Sequence, residues 1–333
     1  MSWLTQTHGT INHYISQMPG KQPVRVLHHM LLYMFQNTHS GFFEILAEYI
    51  RTGKINRELK FDFSEQSIRA SDGSFNTPRV DLNKKEIHLP ETFLSYLWGC
   101  TYAIYILYLE TIDYPKVNRE NGRIIHLTKQ DNIDEANTLF AYAKSLVVTY
   151  SEWDKQELPN PEIYQAEDRN YVEQTNLFYT DAVKFIMCHE FTHLTKHAEQ
   201  FSKESSVEEI LSFEKEADND AIELLKKGIS YLDDDLSIAR RLSIENGAIC
   251  AVLSTFFLSP ITVAKKHPNA EDRLSNVLEK LELDDNHNGW GFACIGLQLW
   301  DEQFGISLNW DTSFPTFKHL YYDLIRQIKE MQS

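Results

Sequence analysis

The spacing of hydrophobic residues in the first sixty positions predicts helices. Apolar side chains recur three and four positions apart in two runs, a period that places them on one face of a helix. The first run contains Leu27, Met30, Leu31, Met34 and Phe35, and the second contains Phe42, Phe43, Ile45, Leu46 and Tyr49. Gly20 and Gly41 interrupt the pattern. We therefore expect an N-terminal helical segment over residues 1–60.

Between residues 60 and 90 the hydrophobic period changes to two, which is the period of a strand with one buried face. Turn-forming sequences at 72–73 and 83–85 separate the alternating stretches. The alternating apolar residues are Phe61 and Phe63, then Val80 and Leu82, then Ile87 and Leu89. This pattern predicts a small antiparallel sheet of about three strands.

Helical periodicity returns at residue 90 and continues to the C-terminus. We expect a long apolar helix that Tyr114-Pro115 ends, and a later helix that Thr180 caps, with Asp181 in its first turn. The predicted helices span 90–110, 133–150, 180–200, 207–227, 236–258, 293–304 and 315–331, with one more opening at Pro268, a short strand at 124–127 and a loop at 151–172. The fold class is therefore α+β and mainly α-helical, with a core over residues 61–282 and a C-terminal helical segment over 283–333.

The chain has 333 residues and a formal net charge of −16. Such an acidic protein repels nucleic acid and anionic lipid, so we expect neither as a partner. Four scattered cysteines and the absence of an evident signal peptide predict a cytoplasmic protein with reduced thiols. The apolar stretches 93–109 and 248–264 fall short of about 20 uninterrupted apolar residues, and we interpret them as buried helices.

The stretch His189-Glu190-Phe191-Thr192-His193 lies in the predicted helix over 180–200. Residues four apart share a helix face, so His189 and His193 can direct two imidazole nitrogens at one ion. Glu190 lies about 100° further round the helix, where its carboxylate can reach a water on that ion. This is the arrangement of two ligands and a general base that is typical of zinc peptidases. The alternative interpretation of this motif is two partly exposed histidines and a glutamate on a surface helix, without a metal.

A third ligand is expected from the helix over 207–227, because a catalytic zinc site has three protein ligands and one open position. Glu214 and Asp218 lie four apart on one face, so one can bind the metal while the other accepts a hydrogen bond from a ligating histidine. Glu216 and Asp220 form the alternative pair on the same helix. A solvated acidic helix face is the remaining interpretation.

Four other residues near these motifs have less specific patterns. His267 precedes Pro268 in a loop, and Arg273 follows on the next helix, where the two can stabilise an oxyanion or hold a substrate carboxylate. His197 continues the histidine stripe one turn beyond the ion, which predicts a supporting or surface position. Cys188 points away from the ligands and is interpreted as core.

Taken in order, the three motifs resemble those of the gluzincin metallopeptidases, in which His-Glu-x-x-His is followed by Glu-x-x-x-Asp. The His-Pro element followed by an arginine resembles that of the HtpX-like and prenyl-protein peptidases, which are membrane proteins. A chain of this size without evident membrane spans is more similar to the Lit-type phage-exclusion peptidases. The resemblance covers residues 170–280 and implies a zincin-like core.

By motif, the resemblance implies that Zn²⁺ is bound by His189, His193 and Glu214, with Glu190 as general base. It implies that Asp218 holds a ligating histidine.

The resemblance also places His267 and Arg273 at or near the cleft, where His267 can act as a regulatory ligand that keeps the enzyme latent. Activity on a translation elongation factor during phage infection is implied by the resemblance only. The sequence thus predicts a zinc-dependent endopeptidase of a specific protein substrate. The alternative is a zinc-containing binding or regulatory protein without turnover.

Overall fold

The computed structural model describes residues 20–56, 60–62, 68–70, 73–200, 205–263, 268–311 and 313–332. Within these ranges the chain is mainly helical with one small sheet, which confirms the expected fold class. The helices are α1 His28–Gln36, α2 Phe42–Arg51, α3 Glu91–Tyr108, α4 Tyr114–Asn121, α5 Gln130–Val148, α6 Arg169–Thr192, α7 Val207–Lys226, α8 Asp235–Phe256, α9 Ala270–Lys280, α10 Asn288–Phe304 and α11 Phe317–Met331. The strands are β1 Lys60–Asp62, β2 Arg79–Asp81 and β3 Glu86–Pro90.

The sheet has the order β1-β3-β2 and is mixed, so the expectation of a purely antiparallel sheet is wrong. β2 pairs with β3 in the antiparallel direction, whereas β1 pairs with β3 in parallel, with Phe61 opposite Leu89. Alternation of apolar residues determines which face of a strand is buried but not its direction. The segment of more than twenty residues between β1 and β3 is long enough for the crossover that parallel pairing needs.

The chain does not leave helical structure at Tyr114-Pro115, where we expected the long apolar helix to end. A π-helical turn at Leu109–Asp113 joins α3 to α4, so the chain stays helical from residue 91 to 121. In a continuous α-helix the Pro115 ring would clash with the carbonyl of residue 111, and the wider turn relieves that clash. This helix is long and apolar enough to span a membrane, but 83% of its apolar window is buried inside the protein.

The short strand expected at 124–127 is absent, although the structure describes all of these residues. The side-chain oxygen of Asn118 accepts hydrogen bonds from the backbone of Ile125 and His126, and its amide donates to the His126 carbonyl. These backbone groups are therefore satisfied by one side chain instead of a neighbouring strand.

Helix α6 lies at the centre of the fold and packs against α1, α3, α7 and α8. The N-terminal helices cover one side of it, because the Phe191 ring packs against the rings of Phe35, Phe42 and Tyr49 at centroid distances of 6.1, 5.2 and 5.7 Å. Residues 1–19 of the predicted N-terminal segment lie outside the described residues. The observed helices α1 and α2 thus help to fix the helix that carries His189 and His193.

Helix α6 begins at Arg169, eleven residues before the predicted cap, so the interpretation of Thr180 and Asp181 as a helix start is wrong. Asp181 is fully buried in mid-helix. Its carboxylate accepts hydrogen bonds from Lys184 at 2.7 Å, from Arg240 at 2.5 and 2.8 Å and from Ser243 at 2.7 Å. The acidic side chain is therefore the centre of a buried ionic cluster between α6 and α8.

Close packing of α8 on α6 depends on a glycine at their contact. A Cβ at Gly247 would lie 2.6 Å from the Cβ of Asp181 and 2.8 Å from the Phe178 carbonyl oxygen. Such distances do not occur between real side chains, so only glycine allows the two helices to approach this closely.

Helices α10 and α11 complete the hydrophobic core. Trp300 and Tyr321 are fully buried, and the Trp300 ring packs edge-on against Phe256 of α8 at a centroid distance of 5.7 Å. One continuous cluster of buried side chains joins residues from all three predicted segments. The division into three segments stays a prediction.

Candidate metal centre

Three predicted ligands meet in space. His189 Nε2 lies 3.0 Å from His193 Nε2, and the two Glu214 carboxylate oxygens lie 3.5 and 3.4 Å from these nitrogens. At zinc–ligand distances of 2.0–2.1 Å, two nitrogen ligands of a tetrahedral ion are about 3.3 Å apart. The three side chains thus form a group that could hold a metal ion.

Local sequence explains how Glu214 arrives at this position. Helix α7 begins with a capping box, in which the Ser206 side chain accepts a hydrogen bond from the Glu209 backbone and the Glu209 side chain accepts one from the Ser206 backbone. Ala217 and Ala221 are fully buried on α7, and their small side chains let it approach its neighbours closely. The helix therefore starts at a defined residue and presents Glu214 to the two histidines.

Asp218 holds the orientation of His189. One of its oxygens lies 2.9 Å from His189 Nδ1, which leaves Nε2 directed at Glu214 and His193. Arg273 donates to both oxygens of Asp218 at 2.8 and 2.7 Å. Burial opposes the charge of Asp218, but Arg273 and His189 hold its pKa well below the usual range. The carboxylate is thus ionised and paired on both sides.

The two histidines do not carry a proton equally. Burial opposes the imidazolium form of His189, but hydrogen bonds to Asp218 and Glu214 outweigh burial and raise its pKa to about 10. Burial and the neighbouring His189 lower the pKa of His193 to about 3. Acidic side chains therefore favour one positive charge at this site, and a cation held between the two nitrogens would satisfy them equally well.

Glu190 is 8% exposed and lies between two cavities that meet at the site. The larger has a volume of about 390 Å³ and an apolar lining that includes Phe185, Val252 and Phe256. The smaller, of about 320 Å³, contains His193 and is bordered by residues of the edge strand β2. The Glu190 carboxylate thus faces an open cleft, where it can reach a water molecule.

The alternative acidic pair of α7 faces away from His189 and His193. The Lys196 ammonium lies 3.0 Å from Glu216 and 2.6 Å from Asp220. Glu216 is also 3.3 Å from Nε2 of His197, which is buried and has its Nδ1 3.0 Å from Nδ1 of His193. The sequence left either a supporting or a surface position open for His197. The structure shows the supporting one, because His197 is buried against His193.

Three further predicted residues are His267, Arg273 and Cys188. His267 lies outside the described residues, so its role stays a prediction. Arg273 borders the larger cavity, but two of its nitrogens are bound to Asp218, and its contact with substrate also stays a prediction. Cys188 is fully buried, and burial raises the pKa of its thiol to about 12, in keeping with a core position.

Sequence reasoning missed the lining of the larger cavity. Side chains from the last turns of α8 and from the segment after it, among them Val252, Thr255 and Leu258, form one wall. The run 236–258 was recognised only as an apolar helix. The sequence feature that could have indicated a cavity is the presence of apolar residues on all sides of this helix. A helix that is buried on one side and lines a cavity on the other has no polar face.

Residues 87–293, well over half of the chain, match the family described as Peptidase U49. The match begins at strand β3 and includes all the candidate ligands, Glu190 and Arg273. No curated protein and no solved structure matches the chain.

Proposed function

Because the chain belongs to the Peptidase U49 family, we propose that it is a zinc-dependent endopeptidase with His189, His193 and Glu214 as metal ligands. The observation that carries this proposal is the mutual distance of 3.0–3.5 Å among their ligand atoms. Zn²⁺, when bound, would polarise the scissile carbonyl and make water acidic enough to deprotonate at neutral pH.

The chain's own residues supply the rest of the mechanism. Glu190 takes the proton from the attacking water and later gives it to the leaving amine. Asp218 keeps the Nδ1 proton on His189, so that Nε2 stays free as a ligand. The low exposure of Glu190 and Glu214 excludes most bulk water, which strengthens the interactions that stabilise developing charge.

The cleft also supports a mode of substrate binding. β2 is an edge strand, and residues 77–80 border the cavity that contains His193. An extended peptide can add to this edge by backbone hydrogen bonds, which would lay its scissile bond across Glu190. The resemblance to Lit-type peptidases extends the proposal to one specific protein substrate, such as a translation elongation factor, and to anti-phage defence in the cytoplasm.

We expect about one zinc ion per wild-type chain after reconstitution and a loss of most bound zinc in His193→Ala, because a site with three protein ligands loses one. Metal analysis of dialysed protein measures both values. His319→Ala removes an exposed histidine and is expected to keep the wild-type zinc content. A wild-type chain that binds no zinc, or a His193→Ala chain that binds it normally, would contradict the proposed ligand set.

We expect cleavage next to large apolar residues, because the larger cavity can accommodate an aromatic or branched side chain. Thr255→Phe would fill part of this cavity and lower kcat/KM for such peptides about 10–200-fold relative to peptides with a small residue there. To measure the preference, a protein lysate is incubated with this protein, with and without chelator, and the new N-termini are identified. Thr255→Ser is the matched control and should keep it, whereas an unchanged preference in Thr255→Phe would exclude this cavity as the subsite.

A further inference from the structure

His197 is buried one helical turn beyond His193, on the same side of the helix as the proposed metal ligands. The chain leaves α-helical geometry at His193–His197, where it forms a π-helical turn with longer-range backbone hydrogen bonds. His193 and His197 lie four residues apart, and their imidazoles are in contact, with ring centroids 5.1 Å apart. Single π-helical turns are uncommon and often occur at functional sites.

The hydrogen bonds of His197 are consistent with one arrangement of protons. Nε2 of His193 faces His189 and Glu214, so as a ligand it must be unprotonated, and Nδ1 must carry the proton. That Nδ1 lies 3.0 Å from Nδ1 of His197, which must then accept. The proton of His197 is consequently on Nε2, which lies 3.3 Å from a carboxylate oxygen of Glu216.

Two further contacts hold this arrangement in place. The His197 ring stacks on Phe213 of α7 with centroids 4.6 Å apart and planes inclined by 25°, which fixes the plane of the imidazole. Glu216 is held by the Lys196 ammonium at 3.0 Å. Each proposed ligand histidine thus donates its Nδ1 proton into a series of contacts that includes a carboxylate and a cation. For His189 the series is Asp218 and then Arg273. For His193 it is His197, then Glu216, then Lys196.

We propose that His197 is a positioning residue, which orients His193 for metal binding and transmits the charge of Glu216 to it. This inference rests on the proposed function, since it assumes that His193 binds the metal through Nε2. The contacts of His197 with His193, Glu216 and Phe213 carry the proposal.

The proposal predicts that zinc affinity depends on the acceptor atom of His197. His197→Phe keeps an aromatic ring on Phe213 but removes the acceptor, and the zinc dissociation constant should rise about 10–100-fold. His197→Asn loses the ring but keeps an oxygen near the position of Nδ1, so its dissociation constant should lie closer to the wild-type value. Chelator competition at fixed pH measures all three constants.

Histidine ring ¹⁵N spectra of the zinc-loaded protein give an independent readout of proton position. We expect His193 with its proton on Nδ1 and His197 with its proton on Nε2, with signals assigned by the single variants. Glu216→Gln changes a half-exposed side chain and leaves the fold intact, so it serves if His197→Phe does not fold. It should weaken zinc binding less than His197→Phe does, because the amide oxygen still accepts the hydrogen bond.

The outcomes separate this inference from the proposed function. Wild-type zinc affinity in both His197→Phe and Glu216→Gln would overturn the positioning role and leave the zinc site standing. Weaker zinc binding in His197→Asn than in His197→Phe would also overturn it, because ring packing and not the acceptor would then matter. A wild-type chain that does not bind zinc would overturn the metal site itself, and the positioning role with it.

Discussion

Replacing Glu190 with glutamine is expected to lower kcat for peptide hydrolysis about 10²–10⁴-fold and to leave zinc content unchanged. Glutamine has the shape of glutamate but cannot take a proton from the attacking water. Because Glu190 is not among the three proposed ligands, its loss removes a step of the reaction without weakening the metal site. Cleavage of lysate proteins and metal analysis on the same preparation measure the two effects.

Glu199→Gln is the matched control for this prediction. Glu199 lies nine residues further along the chain and is exposed, so the substitution makes the same chemical change away from the cleft. It should keep both activity and zinc. Undiminished hydrolysis in Glu190→Gln would exclude Glu190 as general base, and loss of zinc would show that it contributes to the metal site. Equal loss in both variants would point to an indirect effect of charge.

The positions of the proposed ligands followed from the sequence because the relevant contacts are short in sequence or lie on one helix face. His189 and His193 are one turn apart, so regular helix geometry alone brings them together. Glu214 lies on the next helix, and two phases of that helix were possible. The structure separates them: Glu214 meets the histidines, whereas Glu216 contacts Lys196 and His197.

Deviations from regular geometry could not be predicted in this way. One π-helical turn lies inside the predicted helix over 180–200, and the other continues a helix that we expected Tyr114-Pro115 to end. The direction of β1 depends on the path of the chain between β1 and β3, which the alternation of apolar residues does not specify. Periodicity identifies the elements, whereas their exact continuation depends on contacts that are distant in sequence.

Asp181 shows how a local pattern can mislead. A threonine followed by aspartate is typical of a helix start, because both side chains can satisfy free backbone amides there. The partners that decide otherwise are Arg240 and Ser243, which lie 59 and 62 residues further along. A motif of two residues carries no information about them. The same residue type is therefore compatible with an exposed cap and with the centre of a buried ionic cluster.

Replacing Asp181 with asparagine is accordingly expected to lower the free energy of unfolding by about 3–5 kcal/mol, because Lys184 would lose its partner inside the protein. The Lys184 side chain is only 1% exposed, so water cannot take the place of the carboxylate. Urea unfolding of the wild type and the variant measures the difference. The double variant Asp181→Asn with Lys184→Met removes the unpaired charge and should recover part of the lost stability.

A true helix cap in the same chain provides the comparison. The exposed Asp234 side chain accepts a hydrogen bond from the Ser237 backbone at the start of α8, and Asp234→Ala should lower the free energy of unfolding far less than Asp181→Asn does. If Asp181→Asn cost no more than Asp234→Ala, Asp181 would contribute as little as a surface cap, and the buried cluster would not be what joins α6 to α8. A cost several times larger would show that the ionic cluster between α6 and α8 must stay fully paired, two turns before the proposed ligands, for the fold to keep its stability.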